Sequence, residues 1–404
     1  WLLADQDGGR VELNGGQGRL ECAGLFREAL PFRALRGEVV WRRDDDGLRV
    51  EAPRVEIDAE DGLLLAQGRV FLDGDDAPFL DLRAHLSNGN GQSTSRYLPV
   101  GIMVPELVAW LDGAIRGGRV PSADFVLYGR AQDFPYDTGG KGVFEVRADV
   151  VDARLDYMPG WPALEQVAGV LRFDRASMDI SARAGRIFGA QVQEARVWMD
   201  DLVNGDLQIE GKVRGSGGDM LRFLKESPLG SSIRRELAMV SLSGVHDLSL
   251  RVTVPLYDDR APKVKGAVSL RGGSLAVPRF GVGVDALQGV VQFTERGVSA
   301  DGVRGRFRGR PLTVGAVTEG PPGKGRIKVS APLHASLGEL LETAEPPGVS
   351  GSADWLIELL FPAFDNVDAG DAGVTAQVSS DLEGIAVNLP EPLAKPAGQR
   401  RPLR

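Results

Sequence analysis

ALQGVVQFTERGVSADG, residues Ala286–Gly302, decides how the rest of the chain is read. A leucine and a glycine lead into a segment in which Val291 and Phe293 alternate with polar neighbours, then into a short turn and a second alternating segment. Period-two alternation puts one set of side chains on each face of a strand. Two other stretches follow the same plan: ALRGEVVWRRDDDGLRVEA from Ala34 and ALEQVAGVLRFDRASMDISA from Ala163. Recurrence of one strand motif points to a tandem array rather than to unrelated domains.

Working outward, the same alternation appears in most windows. In VFEVRADV, Phe144, Val146, Ala148 and Val150 share a face opposite Glu145, Arg147 and Asp149. Leu207 and Ile209 do so beside Glu210, Leu248, Leu250 and Val252 beside Arg251, and Val268 and Leu270 follow Lys265. Beyond Val150 the parity shifts to Ala153, Leu155 and Tyr157, which predicts a bulge near Val151. Three segments have helical spacing instead. Pro105 opens one near 105–116, carrying Leu107, Val108, Leu111 and Ile115, with Gly117-Gly118 as its stop. Asp219 caps a second near 219–226. Ser336 and Glu339 form a capping box for the third. Their starts lie roughly 115 residues apart, which divides the chain at 1–97, 98–215, 216–334 and 335–404, the first and last pieces being incomplete units.

Composition excludes several classes. The net charge of −9 and the interleaving of acids with arginines argue against a nucleic-acid footprint. The single Cys22 reads as a small buried residue and offers no disulfide framework or thiolate cluster. His85, His246 and His334 have no metal-ligand spacing and read as structural or exposed. Gly281–Ala286 fits a dinucleotide fingerprint only formally, because a strand follows it. Asp44–Gly47 and Asp73–Asp76 read as acidic turns rather than calcium loops. No catalytic constellation, cofactor or metal site emerges, and an envelope hydrolase is the weakest alternative.

YLPVGIMVPELVAWLDGAIRGGRV (97–120), the following DFVLYGRAQDFPY and FEVRADVVDARLDYMPGWPALEQVAGVLRF, and SDLEGIAVNLPEPLAKPAG (380–398) resemble the YhdP family of AsmA-like proteins, relatives of AsmA and TamB. The resemblance covers most of the chain after about Tyr97. It implies a periplasmic, inner-membrane-anchored protein that moves phospholipid toward the outer membrane, with the anchor outside this sequence.

Together these readings set the expectations: a mainly β protein, an elongated, twisted antiparallel sheet curled into an open apolar groove, and a non-catalytic phospholipid-transfer role. Phe144, Val146, Val150, Leu207, Ile209, Leu248, Leu250, Val252, Val268, Leu270, Val291 and Phe293 should line one continuous groove. Glu145, Arg147, Glu210, Arg251 and Lys265 should face solvent. A dry-cored structural sandwich or solenoid of the envelope would show the same alternation.

Overall fold

Alternation becomes strand along most of the chain. The computed structural model describes every residue except Trp1, Gln6, Ala23, 75–76, Val104, 138–140, 229–233, Glu342 and 365–373. The first strands are β1 (Leu2–Ala4), β2 (Gly8–Gly15), β3 (Gly18–Leu20), β4 (Leu30–Asp44), β5 (Gly47–Ala59), β6 (Gly62–Leu72), β7 (Phe79–Asn90) and β8 (Ile115–Arg130). Then come β9 (Val143–Leu155), β10 (Leu164–Asp174), β11 (Ser177–Ile187), β12 (Ala190–Met199), β13 (Leu207–Ser216), β14 (Ser241–Leu242), β15 (Val245–Val254) and β16 (Lys263–Arg271). The last are β17 (Leu275–Val277), β18 (Val282–Thr294), β19 (Val298–Phe307), β20 (Arg310–Glu319), β21 (Arg326–Ser336), β22 (Val349–Pro362), β23 (Thr375–Ser380) and β24 (Ile385–Val387). The α-helices are short: α1 (Pro105–Ala114), α2 (Gly217–Glu226), α3 (Arg234–Ala238) and α4 (Leu337–Leu341). Among the described residues no helix is long and apolar enough to cross a membrane.

The chain forms two compact units, one of Trp1–Lys212 with Val252–Pro262 and one of Val213–Arg251 with Lys263–Arg404. In the first unit, β1, β2 and β4 to β12 pair antiparallel, each with the next, and β3 pairs with the start of β4. In the second, the run is β16, β18, β19, β20, β21, β22, β23, with β17 and β24 pairing on β18 and β22. Among the described residues no ladder closes either run into a barrel.

The strand bearing the opening motif is bulged each time. Register shifts interrupt β4/β5, β10/β11 and β18/β19, and Gln166 and Ala286, each three residues before the motif glycine, have φ of 53° and 50°. Gly37, Gly169 and Gly289 all face the next strand's backbone closely: a Cβ on Gly169 would lie 2.4 Å from the Ser181 carbonyl oxygen, and one on Gly289 3.0 Å from Val303 Cα. Two-residue turns then follow, Phe188-Gly189 between Ile187 and Ala190 and Arg308-Gly309 between Phe307 and Arg310. The bulge expected near Val151 is present, with Asp152 at φ 54° and the register of β8 and β9 shifting beside it.

Helical segments join a strand to its neighbour in three places: after β7, at the end of β13 and after β21. The first also carries a 3-10 helix, Gly91–Tyr97, anchored by Asp61 in the β5–β6 turn, which accepts hydrogen bonds from Ser93 Oγ (2.7 Å), Tyr97 Oη (3.0 Å) and Arg96 (3.0 Å). Several expectations need correcting. The first helix stops at Ala114, and Ile115 already begins β8, because the strand's hydrogen bonds to β9 start there. The second helix is capped by Ser216, whose Oγ accepts from Asp219 N (3.0 Å), so Asp219 belongs to the first turn. The Ser336–Glu339 capping box is formed as read, Ser336 N donating to Glu339 Oε2 (2.9 Å) and Glu339 N to Ser336 Oγ (3.3 Å). Cys22 is half-buried rather than buried, just after β3, where its carbonyl accepts from Leu25 N (3.1 Å) at a turn.

Candidate functional site, an apolar sheet face

Register pairs share a face, so the ladders give the composition of each face directly. In the first unit one row runs Leu86, Ala123, Ala148, Leu171, Ile180, Val197 across six strands. A parallel row runs Ala84, Phe125, Val146, Phe173, Met178, Met199. Leu64, Ala66 and Val70 of β6, Val50, Val55 and Ile57 of β5, and Leu35 and Trp41 of β4 continue the same face. The opposite face is ionic. Arg10 pairs with Glu38 (2.7 Å), Arg36 with Glu56 (3.7 Å), Arg172 with Glu145 (2.9 Å) and Arg196 with Asp179 (2.6 Å), each across neighbouring strands.

Ion pairs also fix the parity of strands for which spacing alone was ambiguous. Lys212 meets Glu194 on the ionic face, while Gly211 lies beside Ala195, so Ile209 and Leu207 fall on the face of Ala195 and Val197. Thr253 Oγ1 donates to Gln208 Oε1 (2.8 Å), which puts Val252 on the face of Leu207 and Ile209. In the second unit Asp247 pairs with Arg214 and Arg271, leaving Leu248, Leu250, Val268 and Leu270 on the other face. Val268 stands opposite Val291, and Gly266 opposite Phe293.

The twelve expected lining residues are therefore divided between the units. Phe144, Val146, Val150, Leu207, Ile209 and Val252 lie in the first and Leu248, Leu250, Val268, Leu270, Val291 and Phe293 in the second. All are half-buried except Val252, which is buried. Of their expected solvent neighbours, Arg147, Arg251 and Lys265 are exposed, whereas Glu145 and Glu210 are half-buried, Glu145 beneath Arg172.

A base closes this face near the helices. In the second unit Leu287, Val303, Phe307, Leu312, Leu333, Trp355 and Ile385 form a dry cluster, with the Trp355 indole donating to Ala335 O (2.9 Å). Val167 and Val192 are buried at the comparable end of β10 and β12 in the first unit. Sequence reading missed this base because alternation marks a face but not what packs on it.

The histidines sit where strands meet. His85 bonds Asp124 (2.7 Å) across β7 and β8. His334 bonds Asp354 through Nδ1 (2.7 Å) and Ser352 through Nε2 (2.8 Å) across β21 and β22. That row has the order of a hydrolytic triad, yet the Asp354 side chain is 90% exposed on an open strand face. Acyl transfer demands donors preorganised in a water-excluded site, which such a face does not supply. His246, fully buried, is held by the Ser243 carbonyl (2.8 Å) and is structural.

In each unit an antiparallel sheet with one aliphatic, half-buried face and one ion-paired face, unclosed among the described residues, makes this an open β protein whose distinctive surface is apolar. The chain belongs to the YhdP family: the family model described as YhdP protein matches residues 2–404. It is 26% identical over 388 residues to the Escherichia coli K12 protein described as "Intermembrane phospholipid transporter YhdP". That match covers 95% of this chain but 30% of the Escherichia coli protein, so the chain spans under a third of its relative's length. No solved structure matches it.

Proposed function

We propose that each unit holds phospholipid acyl chains along its apolar face, in a protein that carries lipid without chemistry between the inner and outer membranes, in the periplasm. The repeating segments of roughly 115 residues, bounded near 97, 215 and 334, then serve to lengthen the same kind of surface. The observation that carries this reading is the row Leu86, Ala123, Ala148, Leu171, Ile180, Val197, aliphatic on all six strands and, apart from Ala148, only half-buried. At ~4.8 Å between strands it extends about 24 Å, longer than the ~15 Å that a chain occupies in one bilayer leaflet. Transfer through water exposes about thirty methylenes at ~0.8 kcal/mol each, on the order of 24 kcal/mol. A continuous aliphatic surface removes most of that barrier, and the relative's description as a phospholipid transporter supports the same ligand class.

A structural sandwich with a dry core is favoured locally by the cluster around Trp355. Native mass spectrometry of the purified protein separates the two readings. Lipid transfer requires phospholipid masses that co-purify and are released on activation. A bare protein mass that also fails to take up added phospholipid contradicts it and favours the sandwich.

A further inference from the structure

We propose that the outer end of β8 and β9 in the first unit is a further acyl-chain subsite, covered by the chain's own Phe134 and Tyr136 until an acyl chain displaces them. The proposal rests on the lipid-carrying reading and adds to it an arm that competes with the lipid for one end of the face.

The arm, Ala131–Asp137, leaves β8 at the end away from α1. It opens with a 3-10 turn, Ala131–Asp133, and is held by Ala131 N donating to Pro78 O (2.9 Å) and Tyr136 N to Asp133 O (2.7 Å). Register fixes which face it covers. Leu82 stands opposite Leu127 and Leu127 opposite Phe144, a row that lies directly beside Ala84, Phe125 and Val146 on the apolar face. Gly142, two residues before Phe144, shares that face. A Cβ on Gly142 would run into Tyr136 Cδ1 and Cγ, and one on Gly129 would lie 2.7 Å from its Cε1 and 3.1 Å from its Cζ. The ring is therefore laid on bare backbone, with its hydroxyl end over β8. Phe134 meets Phe144 edge-on at 5.0 Å between ring centroids, and Phe144 meets Phe125 at 6.2 Å. The covered surface is continuous with the rows assigned to acyl chains, one row further along the same strands, so its occupant is the same kind of chain.

Two features mark the arm as a cover that gives way rather than a fixed wall. Tyr136 is 2% exposed, and among the described residues its hydroxyl is buried without a hydrogen-bond partner. An unpaired buried hydroxyl forfeits its hydration and regains it when the arm lifts. Tyr136 also holds φ 70°, in the left-handed region that a bulky side chain disfavours. Both penalties fall on the closed arm alone. Against them stands the aromatic contact with Phe144, which is apolar and non-directional and can be replaced by methylenes. Phe134, 38% exposed, leaves that contact accessible from its side.

The connection after β15 provides an internal comparison. Its Pro255-Leu256-Tyr257-Asp258 resembles Pro135-Tyr136-Asp137, yet Tyr257 is exposed and donates its hydroxyl to Leu202 O. A tyrosine in such a loop can thus find a partner, and the loop pattern does not itself impose the unpaired hydroxyl of Tyr136.

The test is hydrogen exchange over Ala131–Asp137 in the whole chain, with and without a short-chain phosphatidylglycerol. A photo-crosslinking side chain at Phe173, on the uncovered row, reports lipid on the face in parallel. The expected result is that exchange in the arm accelerates about fivefold or more as lipid saturates, because a displaced arm loses the bonds of Ala131 and Tyr136. Tyr136→Phe keeps the ring and removes the unpaired hydroxyl. It should slow exchange without lipid about fivefold or more, and raise the lipid concentration needed for acceleration by the same factor. Phe134→Ala, which removes the contact with Phe144, should do the reverse. Arm exchange that is unchanged or slowed by lipid while Phe173 forms adducts overturns the subsite and leaves the apolar-face reading intact. Unaltered exchange in Tyr136→Phe likewise overturns the proposal. Absence of adducts at Phe173 together with unchanged arm exchange overturns both readings.

Discussion

Val146→Asp distinguishes an open apolar face from a closed core. Val146 is half-buried between its register partners Phe125 and Phe173. Removing it forfeits about half of the ~1.5–3 kcal/mol that full burial of such a side chain contributes, plus up to ~1 kcal/mol of strand preference. The new carboxylate keeps its water, so the expected loss of stability is about 1–2 kcal/mol. Leu333→Asp provides the contrast. Leu333 is 7% exposed inside the dry cluster, and there the substitution buries an unpaired charge at about 3–5 kcal/mol or more. Lipid should respond in the opposite order. An acyl chain lying over position 146 must strip water from the carboxylate, at several kcal/mol, which corresponds to a loss of affinity of about a hundredfold or more. Urea unfolding followed by circular dichroism gives the stability change, and mass spectrometry of retained phospholipid gives the binding change, with Arg147→Asp as the ionic-face control. Equal destabilisation by Val146→Asp and Leu333→Asp, or lipid retention unchanged in Val146→Asp, refutes the reasoning.

Three further outcomes are expected. Gly169→Ala should cost about 1–3 kcal/mol in urea unfolding, because its Cβ would press on the Ser181 carbonyl, whereas Gly283→Ala, which meets nothing within 4 Å, should stay within about 0.5 kcal/mol. Burial pushes the Asp61 carboxyl up, but hydrogen bonds from Ser93 and Tyr97 and the charge of Arg96 outweigh it and hold the group below its ordinary value. Its contribution is therefore present above the ordinary carboxylate range and lost as pH falls through the depressed value, so Asp61→Asn should flatten the acid limb of a urea-midpoint profile against pH. Lys395, 3% exposed, donates to the carbonyls of Leu382 (2.7 Å), Ile385 (2.7 Å) and Pro396 (3.2 Å). Lys395→Met leaves those carbonyls without this donor, and hydrogen exchange at Gly384 and Val387, whose amides bond Ala397 and Lys395, should accelerate while β10 is unchanged.

The faces were legible because alternation is a local property: the parities of Phe144, Leu250 and Val268, the shift at Val151 and the Ser336–Glu339 box need no knowledge of the partner strand. Ile115 was misread because i, i+4 spacing from Leu111 is also compatible with the first residue of a strand. Ser216 was passed over as a cap because Gly217 and Gly218 separate it from the first apolar residue of the helix. The dry base, the Asp61 hub and the His334–Asp354 pair depend on register between strands, which spacing along the chain does not encode.

The central claim, that the aliphatic face and not the ionic face carries lipid, is tested most directly by photo-crosslinking within cells. A crosslinking side chain is placed in turn at Val146 and Phe173 on one face and at Arg147 and Arg172 on the other. The account predicts phospholipid adducts at Val146 and Phe173 and none at Arg147 or Arg172. Adducts of equal yield on both faces, or only on the ionic face, would contradict it.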